Sequence, residues 1–94
     1  MKSVEMGGHK IALTMNAMVL YQEASGETFF DALAGLEGGS FDAIRLRRMI
    51  WALLGGETDL KAVGDIIDEV GIPTATTAIA SAVSSAIPET SGKK

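Results

Sequence analysis

The spacing of apolar residues along the chain changes from strand-like to helical near residue 14. Two short segments, residues 4–6 and 9–13, flank Gly7 and Gly8, and paired glycines supply the positive φ angles of a tight hairpin turn. The pattern therefore predicts an N-terminal β-hairpin. Strands this short need a helix over one face, because an isolated hairpin is only marginally stable.

Four helices are predicted over residues 14–71, where apolar residues recur every three or four positions. The first ends at Gly26, the second begins at a Thr28 cap, the third begins at a Ser40 cap, and the fourth runs from Thr58-Asp59 to Gly71. The expected apolar face of the first helix contains Met15, Met18, Val19 and Gln22, with Leu20 and Tyr21 beside them, and that of the second contains Phe29, Phe30, Leu33 and Leu36. The expected face of the third helix contains Ile44, Leu46, Met49, Ile50, Leu53 and Leu54. The expected face of the fourth contains Leu60, Val63, Ile66, Ile67 and Val70.

A fifth helix is predicted over residues 74–87, and it differs from the others in carrying no charge. Pro73 is expected to hold Ile72 extended before it. Two stripes follow it at a spacing of four, and the small one would let another backbone approach closely: Ala78, Ala82 and Ala86, and beside them Ile79, Val83 and Ile87. The fold class is therefore α+β and mainly helical, a short hairpin followed by four or five packed helices. We expect one domain over residues 1–88 and a disordered tail over 89–94.

Composition and motifs argue against an enzyme. The 94 residues include no cysteine, which excludes a disulfide scaffold and a thiolate zinc site. His9 is the only histidine and has no second metal-binding side chain nearby in the sequence, and no G-x-S-x-G elbow is present. Gly38-Gly39-Ser40 lacks the spacing and the Lys of a P-loop. We expect no catalytic activity, no metal and no cofactor.

The sequence also predicts a soluble, cytoplasmic protein with no membrane partner. Its first residues show no continuous apolar stretch of the secretory type. The uncharged segment from Val70 to Pro88 is interrupted by Pro73, which leaves 14 residues between the two prolines. A helix that spans a bilayer needs about 20.

The charged residues of the third and fourth helices differ in sign. Arg45, Arg47 and Arg48 lie within one turn of the third helix, whereas the fourth carries Asp and Glu with Lys61 as its one cation. The arginines fit either the solvated side of an amphipathic helix or a docking patch for a partner protein. The opposite signs fit either ion pairs between the two helices or self-association of two chains.

A helix-turn-helix spacing runs from Asp65 to Ala80, with Gly71 in the turn. The second helix of that unit carries no Arg, Lys, Asn or Gln. Readout of base edges and neutralisation of phosphates depend on such side chains. Together with a net charge of −4 and a pI of about 4.8, this disfavours nucleic acid as a partner.

The order of several short motifs resembles a known family. A hairpin leads into Met15-Asn16-Ala17-Met18, and then into Glu23-Ala24-Ser25-Gly26. The segments 48–54 (RMIWALL) and 59–71 (DLKAVGDIIDEVG) follow. In this order, over residues 9–87, the chain resembles the small tail assembly chaperones of gene transfer agents and related tailed phages.

The resemblance implies a non-enzymatic protein that binds the tape-measure protein and assists tail-tube subunits to assemble. For the partner surface we expect the small-residue face of the fifth helix and two of the arginines: Arg45, Arg48, Ala78, Ile79, Ala82, Val83 and Ala86. A bulky charged side chain at Ala82 is then expected to block partner binding and leave the chain folded. Self-association through the same face, a helix-turn-helix regulator of DNA and a permanent structural tail component remain alternatives.

Overall fold

A two-stranded hairpin precedes five helices in the computed structural model, which describes residues 3–39 and 42–86. In chain order the elements are β1 (Val4–Met6), β2 (His9–Ile11), α1 (Met15–Ser25), α2 (Phe29–Glu37), α3 (Ala43–Leu53), α4 (Leu60–Val70) and α5 (Ile72–Ala86). The predicted fold class, α+β and mainly helical, is confirmed. The tail predicted over 89–94 and the predicted domain end at 88 lie outside the described residues.

The hairpin turns at the two glycines, as predicted, because both take positive φ angles of 58° and 88°. Val4 pairs with Ile11 and Met6 with His9, which sets these four side chains on one face of the antiparallel ladder. Met6 and Ile11 are buried on that face, and α5 covers it. The covering helix supplies the stability that two three-residue strands lack.

Side-chain caps fix where the helices begin. Thr14 Oγ1 accepts from the Ala17 N–H at 3.0 Å, and Thr28 Oγ1 accepts from the Asp31 N–H at 3.1 Å, so the Thr28 cap is confirmed. The cap of α3 is Asp42, whose carboxylate accepts from the Arg45 N–H at 3.1 Å. The Ser40 cap was therefore wrong, and Ser40 itself lies outside the described residues. Asp is favoured as an N-cap because its carboxylate accepts a backbone hydrogen bond and also interacts with the positive end of the helix dipole.

One residue, Gly71, separates α4 from α5, and it has a φ of 96°. Ile72 is already helical, so the expectation that Pro73 holds it extended was wrong. Proline is tolerated in the first turn of a helix, where its missing N–H would be unpaired in any case. No single helix of the described ranges has both the length and the apolarity to span a bilayer; α4 and α5 qualify only as a pair bent by 106°.

The core is centred on α3, which contributes five buried residues. The hairpin, α1, α2, α4 and α5 each add smaller or larger apolar side chains to the same cluster. Ala12 N–H donates to the Leu53 carbonyl at 3.1 Å, which attaches the end of the hairpin to the end of α3. Among the described residues, no polar or charged residue is buried, so the core depends on packing alone.

Three predicted apolar faces differ from the expectation. On α2, Phe29 and Ala32 are buried, whereas Phe30 is 45% exposed. On α1 the buried residues are Ala17 and Tyr21, while Met15 and Val19 are 68% and 43% exposed. On α3 the face containing Leu46 is buried, but Ile44 is 73% exposed. At 100° per residue, Ile44 lies about 160° around the helix from Leu46, so it points away from the core.

Candidate protein-binding surfaces

A polar network joins α1, the α1–α2 loop and α3. Arg45 donates to both carboxylate oxygens of Glu27, from Nε at 2.9 Å and from Nη2 at 3.0 Å. The Tyr21 hydroxyl donates to Glu27 Oε2 at 2.5 Å, and Ser25 Oγ donates to the Tyr21 carbonyl at 2.7 Å. A carboxylate that accepts three hydrogen bonds from fixed donors is well satisfied. The network therefore has a structural role: it connects α1 and the loop after it to α3.

The network shifts the acid–base behaviour of its members in a consistent direction. Burial and the hydrogen bond to Glu27 raise the pKa of Tyr21 to about 12. The hydrogen bonds from Arg45 and Tyr21 lower the pKa of Glu27 below its ordinary value. Both shifts favour the neutral phenol and the ionised carboxylate, which is the arrangement that holds the hydrogen bonds. Neither group is brought toward neutral pH, where an acid–base catalyst works best.

The three arginines of α3 have different surroundings. Arg45 is engaged by Glu27, and the Arg48 guanidinium carbon lies 4.8 Å from the centre of the Trp51 ring, a cation–π contact. Arg47 forms no ion pair within the part of the chain that the structure describes. The acidic residues of α4 do not pair with α3 in those ranges, and Lys61 pairs along its own helix with Asp65 at 3.5 Å.

The small-residue face of α5 is part of the core. Ala78, Ile79 and Ala82 are at most 5% exposed, and Val83 and Ala86 are half-buried beside them. The close approach expected of this stripe occurs inside the molecule, where the hairpin and the other helices pack on it. The expectation that a partner binds Ala78, Ile79 and Ala82 must be corrected for the folded chain, because these three side chains are buried, whereas Val83 and Ala86 remain partly exposed. A bulky charge at Ala82 would disrupt the core instead of sparing it.

The outer side of α1 is an exposed apolar stripe. Met15 and Val19 are one helical turn apart and lie opposite the buried Ala17 and Tyr21. A shallow depression lined by Val19, Gln22 and Glu23 continues the stripe toward the end of the helix. We call Met15 and Val19 the α1 stripe. The sequence pattern identified these residues as one helical face and assigned the wrong environment to it.

A second apolar surface is a groove of about 250 Å³ between α3, α4 and the start of α5. We call it the α3–α4 groove; its lining is Ala43, Ile44, Leu46, Arg47, Gly64, Ile67, Asp68 and Ile72. Ile44 and Ile72 are 73% and 46% exposed. Sequence reasoning missed this groove. A helical wheel would have shown that Ile44 lies apart from most of the other apolar residues of α3. The contact between α3 and Ile72, however, depends on the tertiary fold.

The described ranges hold no group of three or more side chains suited to a metal ion. His9 is half-buried in β2 and pairs across the hairpin with Met6. No family model, curated protein or solved structure matches the chain. Among the described residues, the α1 stripe and the α3–α4 groove each combine exposed apolar side chains with a surface depression, and a functional interpretation rests on these two surfaces.

Proposed function

We propose that the protein is a tail assembly chaperone that binds an apolar segment of a tape-measure protein through the α1 stripe. Two observations support this function: the resemblance of the motifs over residues 9–87 to that family, and the exposure of Met15 and Val19 on the side of α1 away from the core. The exposure is the observation that carries the proposal. Two neighbouring apolar side chains that the fold leaves uncovered lower the free energy of binding when a partner protein removes them from water.

The stripe suits a partner whose sequence varies along its length. Met15 has an unbranched and flexible side chain that adapts to irregular apolar surfaces, and Val19 gives the stripe a fixed shape one turn further on. Gln22 and Glu23 are exposed at its end and keep the surrounding surface polar. Binding of this kind shields the partner from aggregation and involves no covalent step, so the chaperone can be released when the tail tube assembles.

Co-expression with the tape-measure protein of the same phage or gene transfer agent, identified from the genes that neighbour this one, tests the proposal. We expect the native chain to keep that protein in the soluble fraction and to co-purify with it. Val19→Arg should abolish both effects. Ala24→Arg is the matched control, because Ala24 is exposed on the same helix about 140° away from Val19. Undiminished co-purification with Val19→Arg would exclude the α1 stripe, and failure of the native chain to co-purify would exclude the function.

The proposal places the protein in the cytoplasm of the producing cell, where tails assemble. A permanent structural tail component would use the same apolar surface but would remain in the finished particle. Mass spectrometry of purified particles separates these two roles. We expect tail-tube subunits in the particle and this protein to be absent from it.

One observation favours the alternative of a DNA-binding regulator: the 106° bend between α4 and α5 falls within the range of helix-turn-helix units. The connection, however, is one residue instead of three or four, and the exposed residues of α5 within the described range are Ile, Pro, Thr, Ala and Ser. A gel-shift experiment at low salt discriminates the two functions, because even non-specific electrostatic binding is visible there. We expect no shift.

A further inference from the structure

The α3–α4 groove carries two opposite charges that are not paired with each other. Arg47 on α3 and Asp68 on α4 both line it, and neither forms an ion pair or a side-chain hydrogen bond within residues 3–39 and 42–86. The stem of Arg47 crosses Gly64, since a methyl group added there would lie 3.6 Å from Arg47 Cδ. The groove thus presents an apolar floor together with one cation and one anion.

We propose that a second copy of this chain covers the α3–α4 groove in an isologous dimer. In a two-fold symmetric interface, contacts are reciprocal. If one residue of the first copy contacts a different residue of the second copy, the same two positions also meet with the copies exchanged. Arg47 of each copy then meets Asp68 of the other, and both unpaired charges are satisfied by one symmetry operation. This surface is self-complementary in charge, which a surface of a single sign would not be.

The apolar residues at the groove fit the same arrangement. Ile44 is the most exposed of the large apolar residues in the described ranges, and it projects from α3 beside the groove. Across a two-fold axis, Ile44 of each copy enters the groove of the other and covers Ile67, while Ile72 closes the edge. Burial of these side chains supplies the attraction, and the two ion pairs fix the register.

The dimer is independent of the tape-measure interaction, which uses the α1 stripe on a different helix. A failure of one proposal therefore leaves the other standing. Because the eight residues that line the groove are fewer than the roughly 20–30 per side of a standard interface, we expect a dimer of micromolar or weaker affinity. Sedimentation velocity over a range of concentrations measures it.

A charge-swap experiment tests the pairing. In an Arg47→Asp homodimer, two carboxylates face each other at both symmetry-related contacts, and in an Asp68→Arg homodimer two guanidinium groups do so. Each variant alone should be monomeric at concentrations where the native chain dimerises. In a heterodimer of the two variants, one contact pairs the unchanged Asp68 of the first variant with the unchanged Arg47 of the second. The other contact pairs the carboxylate introduced at position 47 with the guanidinium introduced at position 68. Both contacts then pair opposite charges, so we expect a heterodimer with at least about tenfold tighter association than either homodimer.

Circular dichroism of the separate variants provides the folding control, since Arg47 is half-buried and Asp68 exposed at the surface. Ile44→Arg is a further variant, expected to remain folded and monomeric even when mixed with either charge variant. A native chain that stays monomeric at every concentration would overturn the proposal. So would a mixture in which the two charge variants fail to associate, or single variants that dimerise as well as the native chain.

Discussion

Arg45 and Glu27 form a bidentate ion pair that connects α3 to the loop between α1 and α2, across 18 positions of sequence. Gly35 of α2 lies against this pair, and a methyl group added there would overlap Nη1 of Arg45. The glycine leaves the space that the guanidinium occupies. Since Tyr21 donates to the same carboxylate, one network joins α1, the α1–α2 loop and α3.

The acid stability of the protein should depend on this network. Because the pKa of Glu27 is lowered in the folded chain, its stabilising effect is complete above the ordinary value of 4.5 and is lost as the pH falls through the lowered folded value. Glu27→Gln should therefore unfold at lower urea than the native chain at neutral pH, and the difference should disappear in acid. Glu23→Gln, an exposed change on α1, serves as the control. A constant difference at all pH values would contradict this account.

The Tyr21 hydroxyl should lose its proton at a higher pH than an ordinary tyrosine. Tyr21 is the only tyrosine of the chain, so the absorbance of the phenolate reports it alone. We expect a pKa of about 12 against the ordinary 10.0, and this raised value makes the folded state lose stability as the pH rises from 10 to 12. Glu27→Gln should lower the pKa but leave it above 10, because burial still disfavours the phenolate. A folded chain that titrates at its ordinary value would show that the hydroxyl is solvated.

Two glycines inside helices should respond differently to alanine. Gly64→Ala in α4 places its methyl group at ordinary contact distance from Arg47, so we expect a gain of up to about 1 kcal/mol in unfolding free energy. Gly35→Ala in α2 has the same helical advantage, but it displaces the Arg45 guanidinium from Glu27. Urea denaturation should therefore show a smaller gain or a loss. Equal gains would mean that Arg45 moves aside without cost.

The burial of the small-residue face is testable with two alanines of α5. Ala82 is 1% exposed, whereas Ala80 is exposed two residues away. Ala82→Leu should lower the unfolding free energy by about 1–3 kcal/mol, because the packed core has no room for a larger side chain. Ala80→Leu should change it by less than about 0.5 kcal/mol. If the two variants were equally stable, α5 would not be packed as described.

The sequence predicted the helices well because their boundaries are local. Thr28 and Gly26 form their capping hydrogen bonds with residues a few positions away in the sequence. Such caps can therefore be predicted without knowledge of the tertiary fold. The orientation of α1 was not predictable in the same way. Apolar side chains lie on most sides of this helix, so its period alone does not decide whether Met15 or Tyr21 faces the core.

The candidate surfaces depend on contacts that no local pattern contains. The alanine stripe of α5 was correctly identified as a close-packing face, but the same stripe fits a partner or the chain's own hairpin. Arg45 was grouped with Arg47 and Arg48 by sequence, yet only the fold brings it to Glu27. The α3–α4 groove likewise exists because the sharp bend at Gly71 brings Ile72 beside α3.

The methyl groups of methionine give the most direct test of the proposed client surface. Met15 is exposed on the α1 stripe, whereas Met6 and Met49 are buried in the core. In a methyl NMR titration with a soluble tape-measure segment, we expect the Met15 signal to shift in proportion to the bound fraction and the Met6 and Met49 signals to stay in place. A segment that binds without moving the Met15 signal would contradict the assignment of the α1 stripe as the chaperone's binding surface.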